Sequence, residues 1–241
     1  FPQSRMVDLA LDGSSWALEC ELLTHLSKAW DQPDCGIWER RNRNRHYVSS
    51  KALAWVAFDR GIKSAERFGF KAPVARWREL REEIHRDVCE RGFDPEQKTF
   101  VEAYGSPLLD ASVLLLPAVG FLPATDPRML GTIAAIERHL MRDGFVLRHD
   151  PREKGVSEGA FLACSLWLAD VYVLCGRVDD ARTLFDRVVG VANDLGLLSE
   201  EYDTDARRLT GSFPQALTHI ALINTAHNIS AAQKPAVQRA R

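Results

Sequence analysis

Two acidic segments of the sequence carry residue types that could perform acid–base chemistry. The first holds Trp38 and Glu39 just ahead of an arginine-rich run, and the second reads Ser-Glu-Glu-Tyr-Asp over residues 199–203. An acid that donates a proton and a carboxylate that accepts one, set beside aromatic rings, are the groups that hydrolyse glycosidic bonds. These residue types alone leave a plainer interpretation open, in which both segments are solvated acidic loops.

Other chemistries leave no recognisable pattern. The sequence has no Gly-x-x-x-x-Gly-Lys-Ser/Thr or Gly-x-Gly-x-x-Gly run for phosphate binding and no Gly-x-Ser-x-Gly elbow for a serine nucleophile. The histidines and cysteines lack the spacing of a zinc site, so we expect no metal and no cofactor. Five cysteines without a Cys-x-x-Cys pair favour reduced thiols in a cytoplasmic protein.

Composition argues against several classes of partner. The formal net charge is −2, so the run from Arg40 to Arg45 would have to bind nucleic acid without help from the whole chain. No apolar run approaches the roughly 20 residues of a membrane-spanning helix, and the start lacks the features of a signal peptide. We therefore expect a cytoplasmic protein that binds a small molecule, with no nucleic acid and no membrane partner. The oligomeric state is not predicted.

The elements that must position these residues are helical. Apolar residues recur with the helical period in eight segments, at residues 14–30, 47–68, 72–90, 107–120, 127–142, 158–175, 178–195 and 213–229. Segments with one apolar stripe alternate with segments that are apolar on several faces, as expected for an outer and an inner layer of helices. This alternation predicts an all-α fold of the α/α toroid or barrel type. Pro107 is expected in the first turn of the fourth helix.

The predicted connections differ in length. Those from an outer to an inner helix are long, at residues 31–46, 91–106, 143–157 and 196–212, whereas the return connections are short. In an antiparallel alternation the four long loops share one end of the barrel, and sites are commonly built on such loops. Glu39 lies in the first of these loops and Glu200 in the last, so both are expected at the same end.

Seven segments follow one another along the chain: GIWERR, KALAWVAFDR, YGSPLLDASVLLLP, DGFVLRHD, EGAFLACSLWLAD, LGLLSEEYD and FPQALTHIALINTA. In this order they resemble glycoside hydrolase family 15, the family of glucoamylases and bacterial trehalases. The resemblance runs from about Leu11 to Asn228 and implies an (α/α)6 barrel, with about eight of its twelve helices present. Residues 1–230 would form part of the catalytic domain and residues 231–241 a disordered tail. The resemblance also implies that a β-sandwich and the first helices precede this chain, which agrees with a first residue other than Met.

The resemblance also implies roles for individual residues. Family enzymes invert configuration with two glutamates, and the Trp-Glu pair of the family makes Glu39 the general acid. The family's base lies in a stretch that matches residues 199–203, which selects Glu200, with Glu201 as the alternative. Arg148 matches a sugar-binding arginine. The residues expected to bind substrate are Trp38, Arg148, Glu158 and Tyr202.

The predicted function is inverting hydrolysis of an α-glucosidic bond in trehalose or an α-1,4-glucan, with roughly 6.5–9.5 Å between the two carboxyl groups. We expect the 241-residue chain alone to be inactive, because loops that complete the sugar pocket would precede it. The alternative is a helical-repeat interaction module, since residues 168–188 resemble one tetratricopeptide unit. Against that alternative, no second copy follows at a period of about 34 residues.

Overall fold

A computed structural model of the chain describes residues 13–40, 43–153 and 158–232. These residues form eight α-helices, which are α1 (Gly13–Ala29), α2 (Val48–Phe68), α3 (Val74–Arg91), α4 (Leu115–Ala118), α5 (Pro127–His139), α6 (Leu162–Leu174), α7 (Val178–Val189) and α8 (Ala216–Ala232). Each lies within or overlaps one of the eight predicted segments. The prediction of a mainly helical chain is therefore confirmed.

Short antiparallel strands lie within or directly beside three of the four long loops, and two of them replace the predicted helical ends at residues 141–142 and 160–161. They are β1 (Phe93–Asp94) with β2 (Thr99–Phe100), β3 (Met141–Arg142) with β4 (Phe145–Val146), and a sheet in the order β5 (Ala160–Phe161), β6 (Glu201–Asp203), β7 (Arg208–Thr210). The sequence did not predict them, because strands of two or three residues are too short to display an alternating pattern.

The described residues divide into two compact units, which are residues 13–40 and 43–92 with 103–105, and residues 93–102 with 106–153 and 158–232. In the first unit Trp16 of α1 stacks on Phe70 with ring centroids 4.8 Å apart and meets Trp77 of α3 edge-on at 6.0 Å. Gly61 of α2 allows this close packing, because a Cβ there would lie 2.6 Å from a methyl carbon of Leu23. The three helices of this unit thus share an aromatic and aliphatic core.

Helix α3 has one buried stripe, as predicted. Its buried residues are Trp77, Leu80, Ile84 and Val88. Helix α2 is buried on several faces, also as predicted, and its buried set includes the ionisable Lys51 and Asp59. Since buried charges are expensive unless paired, these two residues require partners.

The core of the second unit is built around α6. Leu162, Leu166 and Leu168 of this helix are fully buried, as predicted for an inner helix, whereas Leu174 at its end is 51% exposed. Helix α7 ends at Val189, so the predicted extension to residue 195 is wrong. After that end the side chain of Asn193 accepts hydrogen bonds from the amides of Leu195 and Leu197, which organises a turn instead.

The fourth predicted helix is shorter than expected. Asp110 caps a 3-10 helix over Ala111–Leu114 by accepting a hydrogen bond from Ser112 N, and α4 continues this helix for one turn. Pro107 lies ahead of the cap, so its predicted place in the first helical turn is wrong. Pro117 lacks an amide hydrogen, which weakens any longer α-helix here.

Helix α8 differs from the other helices of the inner class. One face packs on α6 and α7 and buries Thr218, Ala221, Thr225 and Ile229. Leu217, Ile220 and Ile223 are 41–67% exposed, so the predicted burial on all sides is wrong for α8 in the part of the chain described. Of the predicted tail, residues 231 and 232 belong to α8, and residues 233–241 lie outside the described residues.

Candidate active site

Trp38 and Glu39 lie in the loop between α1 and α2, in the first unit. Asp34 and Arg45 exchange two backbone hydrogen bonds of 2.9 Å and close this loop at its base. The amide of Glu39 donates to the carbonyl of Gly36 at 3.1 Å, and Glu39 has a φ of 51°. That backbone region is uncommon for a residue with a side chain. The turn leaves Glu39 exposed and Trp38 partly buried.

The side chain of Tyr47, the residue before α2, packs against this turn. A Cβ on Gly36 would lie 2.9 Å from the Tyr47 ring, and Gly36 has a φ of 71°, so only glycine fits without strain. The Tyr47 hydroxyl donates to the carbonyl of Arg43 at 2.9 Å. The aromatic ring therefore contacts both arms of the loop that carries the candidate acid.

Glu200 and Glu201 diverge at the start of β6, because successive side chains of a strand point to opposite faces. The Glu200 backbone is bonded on both sides, to Leu162 N at 3.1 Å and to Ser212 O at 2.9 Å. Its Oε2 accepts from Ser212 N at 3.2 Å. Gly211 has a φ of 75°, and a Cβ there would lie 2.9 Å from the Glu200 Cβ. Glu200 is thus closely packed between the start of α6 and residues 211–212.

Glu201 joins a cluster with Arg148 and Glu158. Arg148 Nε donates to Glu158 Oε1 at 3.1 Å, and its Nη2 donates to Glu158 Oε2. The same Nη2 lies 3.4 Å from Glu201 Oε1, while Gly159 N donates to Glu201 Oε2 at 3.1 Å. The three side chains are 15–19% exposed. One guanidinium therefore holds two largely buried carboxylates, in part through a bidentate pair.

The electrostatics of this cluster shift two pKa values. Burial raises the pKa of Glu201, the charge of Glu158 adds to the rise, and the Gly159 amide and Arg148 oppose it. Burial alone would lower the pKa of Arg148, but the hydrogen bonds and charges of Glu158 and Glu201 raise it above its usual value. A carboxyl with raised proton affinity beside a fixed cation is an arrangement that acid–base sites use.

His149 and Asp110 extend the cluster on the side of Glu158. His149 Nδ1 lies 3.1 Å from Asp110 Oδ2, and Nε2 lies 3.9 Å from Glu158 Oε1. The two residues also form a backbone bridge. Sequence reasoning missed this pair, since the contact joins residues far apart in the chain. The signal that the sequence did offer was that Asp110 and His149 are each a polar residue at the border of an apolar stretch.

A cavity of about 300 Å³ opens on the Glu201 face of β6. Its lining is mainly polar and includes Arg142, Glu158, Glu201 and Asp203. Glu200 is not part of the lining, because it lies on the opposite face of the strand. On that opposite face the ring of Tyr202 packs against Phe145 with centroids 5.0 Å apart.

The predicted site residues therefore fall in both units. Trp38 and Glu39 belong to the first, and the second contains the predicted arginine and the remaining glutamates and tyrosine. The structure brings Arg148, Glu158 and Glu201 together. Within the described ranges, no group of three or more His, Cys, Asp or Glu residues could hold a metal ion. No helix in those ranges combines the length and apolarity needed to cross a membrane.

Comparison with known proteins identifies the family of this chain. The family model for glycosyl hydrolases family 15 matches residues 5–227. A trehalase of Thermoplasma acidophilum is 39% identical over 219 residues, covering 90% of this chain and 38% of the relative. A trehalase of Mycobacterium tuberculosis is 43% identical over 213 residues, covering 87% and 31%. The chain thus spans about a third of the length of these relatives.

A solved structure of a glycosidase in complex with glucose resembles this chain with a TM-score of 0.76 at 19% identity. The match covers 86% of this chain and 57% of that one. At this identity the likeness concerns the fold. It confirms the predicted all-α fold class, with the chain corresponding to part of an (α/α)6 barrel domain.

Proposed function

The chain belongs to glycosyl hydrolases family 15, and from this premise we propose that the complete protein carrying it hydrolyses an α-glucosidic bond with inversion. The two relatives compared above are named trehalases, which supports trehalose as the first substrate to test, ahead of an α-1,4-glucan. The chain covers 31–38% of those relatives, so we expect the 241 residues alone to lack this activity.

Glu39 is the proposed general acid. In an inverting mechanism this group protonates the glycosidic oxygen as the bond breaks. The turn at Gly36 presents the Glu39 side chain outward, where a substrate can reach it. Trp38 beside it supplies an aromatic surface of the kind on which sugar rings pack.

Glu200 is the proposed general base, which must accept a proton from the attacking water. Both oxygens of Glu201 are already engaged, one by Arg148 and the other by Gly159 N. The hydrogen bond to the Glu200 carboxylate comes from Ser212 N and uses Oε2. A carboxylate with fewer fixed donors keeps more lone pairs for water, which supports Glu200 over its neighbour.

Arg148, Glu158 and Tyr202 are the proposed substrate-binding residues of the second unit. Glu158 lines the polar cavity and Arg148 holds it through two hydrogen bonds. A cavity of about 300 Å³ is at the small end of the range for ligand sites. Tyr202 shares the Glu200 face of β6, where its ring can contact a sugar near the base.

Glu201 is the second candidate for the base, because it lines the cavity and burial raises its pKa. A base that works near neutral pH benefits from such a shift. This alternative places the attacking water on the cavity side of β6 instead of the Glu200 side.

Three glutamine variants of the complete protein test these assignments. Glu39→Gln and Glu200→Gln should each lower kcat/KM on trehalose by roughly 10²–10⁴-fold, because each removes one proton-transfer group. Glu201→Gln should lower it far less, and is the matched control from the same strand. The base is Glu201 instead if the larger loss appears in that variant. Full activity in both Glu39→Gln and Glu200→Gln would exclude the mechanism.

A further inference from the structure

Lys51 is one of the buried ionisable residues that have no role in the proposed chemistry. It lies in the first turn of α2 and is only 2% exposed. Burial lowers the pKa of its ammonium group, and the charges of Asp34 and Asp31 oppose the shift. An ammonium group removed from water destabilises the fold unless it is paired. The partners of Lys51 therefore show which segment depends on its charge.

The hydrogen-bond and ion-pair partners of the Lys51 ammonium group lie in the loop that carries Glu39, while the charge of Asp87 on α3 also acts on it. Its Nζ donates to the carbonyl of Gln32 and lies 3.7 Å from Asp34 Oδ2. The other carboxylate oxygen, Asp34 Oδ1, accepts from the Ser50 hydroxyl and from Gly36 N, both at 2.7 Å. One carboxylate therefore links α2 to the first residues of the turn.

The same contacts reach the backbone of Glu39. Asp34 holds the amide of Gly36, and the carbonyl of Gly36 accepts the amide of Glu39 at 3.1 Å. Glu39 has a φ of 51°, a conformation that persists only when the surroundings enforce it. The polar link from Lys51 through Asp34 is one such support, beside the ring of Tyr47 and the backbone bridge between Asp34 and Arg45.

We propose that Lys51 is a positioning residue for the general acid, with Asp34 as the link that transmits its effect to Glu39. The inference rests on the proposed function, because it assumes that Glu39 donates a proton. Lys51 does not touch the substrate. Lys51 fixes the turn through its contact with Asp34. Without the Lys51 ammonium group, the carboxyl group of Glu39 loses its alignment with the glycosidic oxygen.

A pair of substrates separates positioning from general structural damage. Trehalose needs a proton on its departing oxygen, whereas α-D-glucosyl fluoride releases fluoride without one. In the complete protein, Lys51→Met keeps the length of the side chain and removes the charge. We expect kcat on trehalose to fall about 10–100-fold while KM stays within about twofold, because a misplaced acid weakens only the transition state. The rate on the fluoride should change less than about twofold.

The matched control is Lys63→Met on the same helix. Lys63 is 62% exposed and pairs with Asp59 at 2.7 Å, away from the loop. It should leave both rates unchanged. Asp34→Asn is the second variant, since Asp34 is 40% exposed and its loss is better tolerated if Lys51→Met fails to fold. It should show the same preference for the fluoride, with a smaller loss on trehalose.

The outcomes distinguish this inference from the proposal on which it rests. Glu39→Gln, run in parallel, must favour the fluoride; if it slows both substrates equally, Glu39 is not the acid and the proposed function fails. If Glu39→Gln favours the fluoride but Lys51→Met and Asp34→Asn slow both substrates equally, or neither, Lys51 is only a structural residue of α2 and the inference is wrong.

Discussion

The two segments that carry the proposed acid and base are held by different physical means. We call residues 34–45 the acid loop and residues 199–212 the base hairpin. In the acid loop Glu39 is exposed on a turn, and Ser50 and the buried Lys51 of α2 contact Asp34 at the start of the loop. In the base hairpin the backbone around Glu200 pairs on both sides, and Glu201 is 15% exposed beside Arg148.

Because the two segments are held differently, substitutions in them should have different effects on activity and on stability. The acid loop depends on a few polar contacts, so a single substitution should misplace Glu39 without unfolding its unit. The base hairpin belongs to the packing around α6, so changes there should lower the free energy of unfolding as well as activity.

Removing Arg148, the cation that pairs with Glu158 and with Glu201 of the base hairpin, should be the most destabilising change. Arg148→Leu leaves Glu158 and Glu201 buried without a counter-charge, which should cost about 3 kcal/mol in free energy of unfolding. Denaturant unfolding of the 241-residue chain measures it. The control is Arg182→Leu at an exposed position of α7, expected to change stability by less than about 0.5 kcal/mol. Equal effects of the two variants would show that the buried cluster contributes nothing particular.

Two glycines next to the candidate carboxylates offer a matched pair. Gly36→Ala and Gly211→Ala place a Cβ at positive φ and 2.9 Å from Tyr47 and Glu200, respectively. Positive φ alone costs roughly 1–2 kcal/mol, and the close contact adds to it. Gly69→Ala and Gly196→Ala are the controls, since they share positive φ but have no atom within 4 Å.

The controls separate the effect of the close contact from the cost of placing alanine at positive φ. We expect Gly36→Ala and Gly211→Ala to exceed their controls in unfolding experiments, and to lower activity of the complete protein as well. If Gly211→Ala matches Gly196→Ala in both respects, the packing of Glu200 against this hairpin is not tight, and the contrast between the two segments loses its basis.

Two carboxyl groups of the second unit should titrate with opposite effects on stability. The pKa of Glu201 is raised by burial and by Glu158, so its favourable contribution exists at low pH and is lost as pH rises through the folded-state pKa. Burial alone would raise the pKa of Asp150, but hydrogen bonds from Arg152 and the Leu109 amide lower it. The contribution of Asp150 is therefore present above its unfolded pKa and lost as pH falls.

Unfolding of two variants across pH checks these signs. Relative to the parent chain, Glu201→Gln should gain stability as pH rises from about 4 toward neutral. Asp150→Asn should be most destabilising near neutral pH, and its deficit should shrink below about pH 4. Parallel pH profiles of the two variants would contradict the opposite environments described for these carboxyls.

The sequence predicted the helices well because each long helix displays its burial as a periodic pattern. Trp77, Leu80, Ile84 and Val88 form the predicted stripe of α3. It failed where one or two residues decide the backbone, as at Asp110, whose side chain caps a 3-10 helix. It also failed at α8, because an apolar pattern does not tell which faces find a neighbour within the same chain.

The candidate site shows the same limit. The resemblance to a family selected Glu39 and Glu200, and these assignments stay predictions until they are tested. The sequence could not reveal that Glu201 shares Arg148 with Glu158, since strand alternation and side-chain direction in the base hairpin come from pairing with β5 and β7. The sequence shows Lys51 as one polar residue of a predicted helix, and its burial beside Asp34 is what links it to the acid loop.

The proposal to test is that Glu39 acts as the general acid and Glu200 as the general base of an inverting hydrolysis. The most direct test is the anomer released when the complete protein hydrolyses α,α-trehalose, followed by proton NMR before mutarotation. Inversion predicts equal first-formed amounts of β-glucose, from the attacked sugar, and α-glucose, from the leaving one. Release of α-glucose alone would mean retention, and would contradict the assignment of Glu39 and Glu200 as an inverting pair.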